Sequence, residues 1–88
     1  MLFLIHWQIE PEHRDAVLER FQKLRHGEPQ AVKIVGTWHS VTQLEGWAIV
    51  EATDSIQVGK WLHGWTDLNL VHITPVVDDK DLLKILAS

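Results

Sequence analysis

Leu2 to Ile9 carries apolar side chains at both parities, with Phe3, Ile5 and Trp7 at odd positions and Leu2 and Leu4 at even ones. Successive side chains of an extended chain point to opposite faces, so a strand of this composition has two apolar faces. The pattern recurs downstream. Trp47 and Ile49 oppose Ala48 and Val50, and Leu68 and Leu70 oppose Val71, Ile73 and Val77. A sheet with one face in water would alternate apolar and polar residues instead. Whatever this chain folds into must cover its sheet twice.

The remaining pattern supplies one of those covers. Glu10-Pro11 ends the first strand and starts a helix, because proline suits the first helical turn and Glu12 and Asp15 complement the positive end of the dipole. The helix is predicted to run to about Arg25, closed by Gly27 and Pro29. Val17, Phe21 and Leu24 share one face of it, with Leu18 at the margin, and Asp15, Glu19, Lys23 and His26 fall on the opposite, solvent side. Ala31 to Ser40 reads as a second strand and Gly46 to Thr53 as a third; the short loop Val41 to Glu45 makes them an antiparallel hairpin. Asp54, with Gln57 three residues on, caps a second helix whose inner face carries Val58, Trp61, Leu62 and Trp65. Leu68 to Val77 is a fourth strand, and Asp78 and Asp79 start a short C-terminal helix with a stripe of Leu82, Leu83, Ile85 and Leu86.

This order is βαββαβ, the ferredoxin-like split βαβ arrangement. Right-handed crossovers place both main helices on one face of a four-stranded antiparallel sheet of strand order 4-1-3-2, an α+β fold. Residues 1–88 leave room for one domain, and a monomer of this size buries roughly 60–65% of the surface its unfolded chain exposes. Two helices cover one sheet face only, and the other would be a larger apolar patch than monomers usually tolerate. Face-to-face packing of two copies supplies the second cover, so a homodimer is expected, with the C-terminal stripe docking across it or folding back over its own sheet.

Composition excludes several functions. Without cysteine there is no disulfide framework, thiolate metal site or cysteine nucleophile. A net charge of −4 argues against a nucleic-acid surface, which needs a basic stripe. Met1 to Ile5 is too short to span a membrane and lacks the flanks of a signal peptide, so a cytoplasmic protein is expected.

The chain resembles, over nearly its whole length, a bacterial family of domains of unknown function that is similar to the dimeric α/β-barrel superfamily. The residues that carry the resemblance are Gly36-Thr37-Trp38, the run Gly46 to Asp54, and above all Trp61-x-x-x-Trp65-x-Asp67 followed by Pro75-Val76. The resemblance implies the fold and dimerisation. The wider superfamily holds cofactor-free monooxygenases, haem-degrading enzymes, isomerases and sensory domains, so it implies no single chemistry. An asparagine expected on the first strand of a haem-degrading site is absent here, where His6 and Gln8 stand instead.

Polar residues inside otherwise apolar strands are the candidates for a site, because each needs a partner or a ligand when buried. They are His6, Gln8, Thr37, His39, Glu51, Asn69, His72 and Thr74. His6, His39 and His72 lie on three strands and could act as acid and base if they share a face, while Glu51 beside Trp47 and Ile49 is a candidate general base. The plainer account is a set of satisfied or edge-exposed side chains, and no metal-binding spacing is present. Asp67, just after the second helix, is expected to bind backbone there. Five tryptophans dominate the apolar volume. Trp7, Trp38, Trp47 and Trp65 are the candidate walls of a ligand pocket, with a close-packed core as the alternative. The functions this leaves are a dimeric module binding a small apolar or aromatic ligand or serving as a scaffold, and a cofactor-independent monooxygenase or isomerase.

Overall fold

The computed structural model describes residues 1–87. The elements follow in the order β1 (Leu2–Ile9), a 3-10 turn (Pro11–His13), α1 (Arg14–Leu24), β2 (Lys33–His39), β3 (Glu45–Glu51), α2 (Ser55–Leu62), β4 (Asn69–Val76) and α3 (Asp79–Ala87). The strands form one antiparallel sheet of order β2-β3-β1-β4, which is the expected 4-1-3-2 read from the other edge. The fold is ferredoxin-like, with a short C-terminal helix.

The core lies between the sheet and α1 and α2. Phe3, Ile5, Val50 and Val58 are its largest fully buried side chains, joined by Val32, Ala48, Ala52, Trp61 and Leu62. Asp54 caps α2 as its sequence position indicates, its Oδ1 accepting from the Gln57 N–H at 3.1 Å. Asp78 caps α3 in the same way, accepting from the Asp81 N–H at 2.9 Å.

Three of the boundaries that differ from expectation do so for identifiable local reasons. β2 begins at Lys33 rather than Ala31 because Val32 N–H closes a turn onto the Pro29 carbonyl. α2 ends at Leu62, and Trp65 lies in the turns that follow, its own N–H bonded to the Leu62 carbonyl. α1 stops at Leu24 because Arg25 takes φ 55°, outside the helical region, which leaves Leu24 exposed.

One irregularity decides which side chains face which layer. The β2–β3 register shifts between Ile34 and Gly36, so Val35 is an extra residue. Ile34 lies opposite the buried Val50, but beyond the bulge Thr37 lies opposite Ala48 and His39 opposite Gly46, while Trp38 lies opposite Trp47. Without the bulge His39 and Trp38 would exchange faces.

The second face of the sheet is open within this chain. Leu4, His6, Trp47, Ile49, Trp38 and Leu70 occupy it by register, and Trp38 is 58% exposed. On α3, Leu82, Leu83, Ile85 and Leu86 are exposed, and the molecule measures 48 × 26 × 17 Å. No helix among the described residues is long and apolar enough to cross a membrane.

Candidate functional site

The cavity of interest lies beneath the helices, where the core is incompletely filled. Its volume is about 70 Å³. Ile5, Trp7 and Ile9 of β1, Ala48 of β3 and Val71 of β4 form its floor, and Val17, Leu18 and Phe21 of α1 face them. Trp61, Leu62, Trp65 and Asn69 close one side, and the exposed residues His39 and Gln43 mark the open one, together with His26. The lining is mostly apolar, contains no lysine or arginine, and includes one carboxylate residue, Glu45. The Glu45 side chain is engaged elsewhere, its Oε2 lying 3.1 Å from His6 Nε2 on the open face of the sheet.

Trp7 can occupy the floor because Gly46 stands opposite it in β3: a Cβ at Gly46 would collide with the indole, and would lie 2.8 Å from the Trp38 carbonyl oxygen. Two further indoles meet at a single acceptor. Trp61 Nε1 donates to the main-chain carbonyl of His26 at 2.7 Å, and Trp65 Nε1 donates to the same oxygen at 3.1 Å. Asn69, 7% exposed, donates through Nδ2 to the Trp65 carbonyl at 2.8 Å, which fixes the turn carrying that ring.

The polar end of the cavity is a cluster of rings. His26 and His39 stack with centroids 6.4 Å apart and planes 16° from parallel, Phe21 meets both edge-on at 5.0 and 5.8 Å, and Trp7 meets His39 edge-on at 5.6 Å. Burial pushes the His26 imidazole below its ordinary value; Glu28 opposes the shift and His39 adds to it. His26 is therefore held in its neutral form at neutral pH, where one ring nitrogen can accept a hydrogen bond or a proton.

The sequence candidates divide between the two faces of the sheet. His39, Trp7 and Trp65 line the cavity. His6, His72, Trp47 and Trp38 lie on the open face instead, where His6 stacks on Trp47 at 5.3 Å and on His72 at 6.3 Å. Glu51 is exposed at the end of β3, opposite Lys33 and Leu2. The three strand histidines thus do not converge as one group. No cluster of three or more metal-ligating side chains occurs among the described residues.

One expectation is corrected and one is extended. His26, placed on the solvent side by extending the helical wheel, lines the cavity because the helix has already ended at Leu24, with Arg25 turned out of the helical region. The signal available was the adjacent Gly27, which has φ 64° and marks where the wheel no longer applies. Asp67 meets local backbone, the N–H groups of Asp67 and Leu68, as expected, but its main partner is Arg20, which donates a bidentate pair of hydrogen bonds to it at 2.7 and 2.9 Å and also donates to the Gly64 carbonyl. That pair ties α1 to the turn that carries Trp65, with the guanidinium 5.8 Å from its ring centroid.

The fold places this chain among ferredoxin-like α+β domains. The model of one family, a domain of unknown function designated DUF3303, matches residues 1–88, and the chain belongs to that family. No match was found among curated proteins. Similar solved structures include an antibiotic biosynthesis monooxygenase at 17% identity and TM-score 0.53, covering 89% of this chain and 100% of that one. They also include Rv0793 from Mycobacterium tuberculosis, at 11% identity and TM-score 0.53 over 89% and 96% of the two chains. A third is a conserved protein of unknown function and possible oxidoreductase from Bacteroides thetaiotaomicron, at 8% identity and TM-score 0.53 over 83% and 90%. At these identities the likeness is one of fold.

Proposed function

We propose that this protein is a cytoplasmic homodimer that binds a small, planar, mostly apolar molecule in the cavity beneath its helices. The observation that carries this reading is an aromatic-walled void that ends on a pair of imidazoles. Trp7, Phe21, Trp61 and Trp65 offer ring faces and edges to a flat ligand, and His26 and His39 offer it a polar end. Size narrows the class. An apolar cavity of about 150 Å³ accepts benzene, and this one has about half that volume. The ligand is then a single ring, admitted with some movement of the residues at the mouth. Haem is far too large.

Homodimerisation is supported by the open sheet face, where Leu4, Trp38, Trp47, Ile49 and Leu70 gather beside His6 and His72. A second copy packed there would remove that apolar surface from water. The net charge of −4 and the absence of cysteine favour a small molecule over nucleic acid, and a reducing compartment.

A second reading is a cofactor-independent monooxygenase or isomerase. It is supported by the neutral His26 beside His39 in an apolar cavity, a setting in which an imidazole can take a proton from an acidic C–H or O–H group. The fold shared with an antibiotic biosynthesis monooxygenase agrees with it. In this reading His39 and His26 are the candidate acid and base, and His6, His72 and Glu51 belong to the other face.

Titration of tryptophan fluorescence with single-ring aromatics, paired with thermal shift, tests the binding reading. Saturable quenching that is lost in Trp65→Ala is expected. No response to any single-ring compound at millimolar concentration refutes it. Oxygen uptake or isomer formation that disappears in His39→Ala would move the assignment to the enzyme.

A further inference from the structure

We propose that the cavity selects uncharged single rings that carry a hydrogen-bond donor, phenols before all others, and that Asn69 Oδ1 receives the donor. The selection rests on the cavity-binding reading, since it concerns what that void prefers to hold.

Strand position puts the carboxamide there. Asn69 opens β4 opposite Ile9 of β1 and has the parity of Val71, which lies opposite Trp7. Ile9, Trp7 and Val71 all line the cavity, so Asn69 stands on the side of the sheet that carries the helices. A strand normally places an apolar residue at such a position. Asn69 is 7% exposed, and among the described residues it is the one buried residue of the polar or charged kind. A polar group so placed costs free energy unless its atoms find partners.

One end of that carboxamide is held. Nδ2 donates to the Trp65 carbonyl, which also takes the main-chain N–H of Asn69 at 3.0 Å. The orientation of the amide is therefore fixed, because the reversed one would set two oxygens against each other. The other end is open. Oδ1 receives no hydrogen bond from the described residues. It is not sealed in either, since no fully enclosed side-chain nitrogen or oxygen among the described residues lacks a partner. The void that Asn69 borders is the cavity. A rigidly held acceptor thus faces an aromatic-walled space without a donor from the protein.

The neighbouring polar groups set the class of ligand. The indole N–H groups of Trp61 and Trp65 are both engaged by the His26 carbonyl, and Gln43 Nε2 by the Val41 carbonyl. No lysine or arginine lines the void, and Arg20, beside Trp65, is paired with Asp67. A carboxylate would enter without a counter-charge and would set its oxygens against that of Asn69. A neutral hydroxyl on a flat ring satisfies the acceptor while the ring meets the aromatic walls. A methyl group in its place leaves the acceptor dry and unpaired.

The test is an NMR titration of the isotope-labelled protein with phenol, toluene and benzoate, repeated in Asn69→Leu. Leucine is similar in size to asparagine and removes the acceptor, and the Trp65 carbonyl keeps the main-chain N–H groups of Leu68 and Asn69. The preference for phenol over toluene is expected to fall about tenfold in the variant, the weight of one net hydrogen bond. In the wild-type chain, phenol should shift the Asn69 side-chain amide resonances and toluene should not, a readout that stands even if the variant fails to fold. Benzoate should bind at least about tenfold more weakly than phenol. An unchanged preference in the variant, side-chain amide resonances indifferent to phenol, or benzoate bound as tightly as phenol overturns the selection and leaves the cavity reading in place. Equal weakening of phenol and toluene in the variant also overturns it, because Asn69 would then act only by holding the turn of Trp65. Failure of all three compounds to bind removes the cavity reading and the selection together.

Discussion

The indole of Trp7 occupies the space in which a side chain at Gly46 would begin. The two are register partners across β1 and β3, and the Trp38 carbonyl closes the same space from β2. Gly46 is therefore a packing requirement of the cavity floor. Gly46→Ala is expected to cost about 1–3 kcal/mol, the range for overpacking a well-filled core, and to shift the Trp7 emission. Urea unfolding checks it. A change below about 0.5 kcal/mol, the scatter of ordinary surface substitutions, would show that the ring moves aside freely.

The shared acceptor at His26 makes a prediction about additivity. Trp61→Phe or Trp65→Phe removes one donor and leaves the carbonyl bonded to the other indole. Each single variant should lose about 1 kcal/mol or less of hydrogen-bond energy. The double variant leaves a part-buried carbonyl without either donor, so its loss should exceed the sum of the two. A double-mutant cycle from denaturant melts measures the coupling. Strict additivity would mean that water replaces the indoles.

These relationships mark what could be read from residues alone. The two-sided apolar run Leu2–Ile9, the Asp54 cap and the short connection before Glu45 carry the architecture, because periodicity and capping are local properties. The division of the site residues was hidden in Val35. One bulged residue moves His39 into the cavity and Trp38 out of it, and nothing in the run Lys33–His39 announces a bulge at Val35 rather than at its neighbours. His26 was hidden by a helix that ends one residue sooner than its charge pattern suggests. The Arg20–Asp67 pair spans 47 positions, a separation at which spacing carries no signal.

The open face of the sheet yields a prediction about assembly. If a second copy covers it, a charge placed there must be buried unpaired or must keep the copies apart. Ile49→Lys should convert a dimer to a monomer in sedimentation velocity while far-UV circular dichroism is retained, because Ile49 lies opposite Leu4 and Gly36 and outside the core. A wild-type chain that sediments as a monomer at tens of micromolar would end the dimer reading.

The last prediction concerns acid. Arg20 holds the Asp67 carboxyl below its ordinary value, chiefly by its hydrogen bonds; desolvation opposes them, and the Arg20 charge and the backbone N–H groups of Asp67 and Leu68 add lesser contributions in the lowering direction. A carboxylate with a depressed folded pKa contributes stability that is present above its unfolded value, about 3.9, and is lost as pH falls through the folded one. Asp67→Asn should therefore lower Tm at pH 7, and the gap from wild type should close as the pH is brought below 3. The pair is open to solvent, so the gap should also shrink in 0.5 M salt. Calorimetric melts across pH 2–7 decide it. A gap that persists at pH 2 would mean that the asparagine disturbs the turn carrying Trp65 rather than the charge pair. In that case the loss should appear as a weaker Trp65 indole hydrogen bond at every pH.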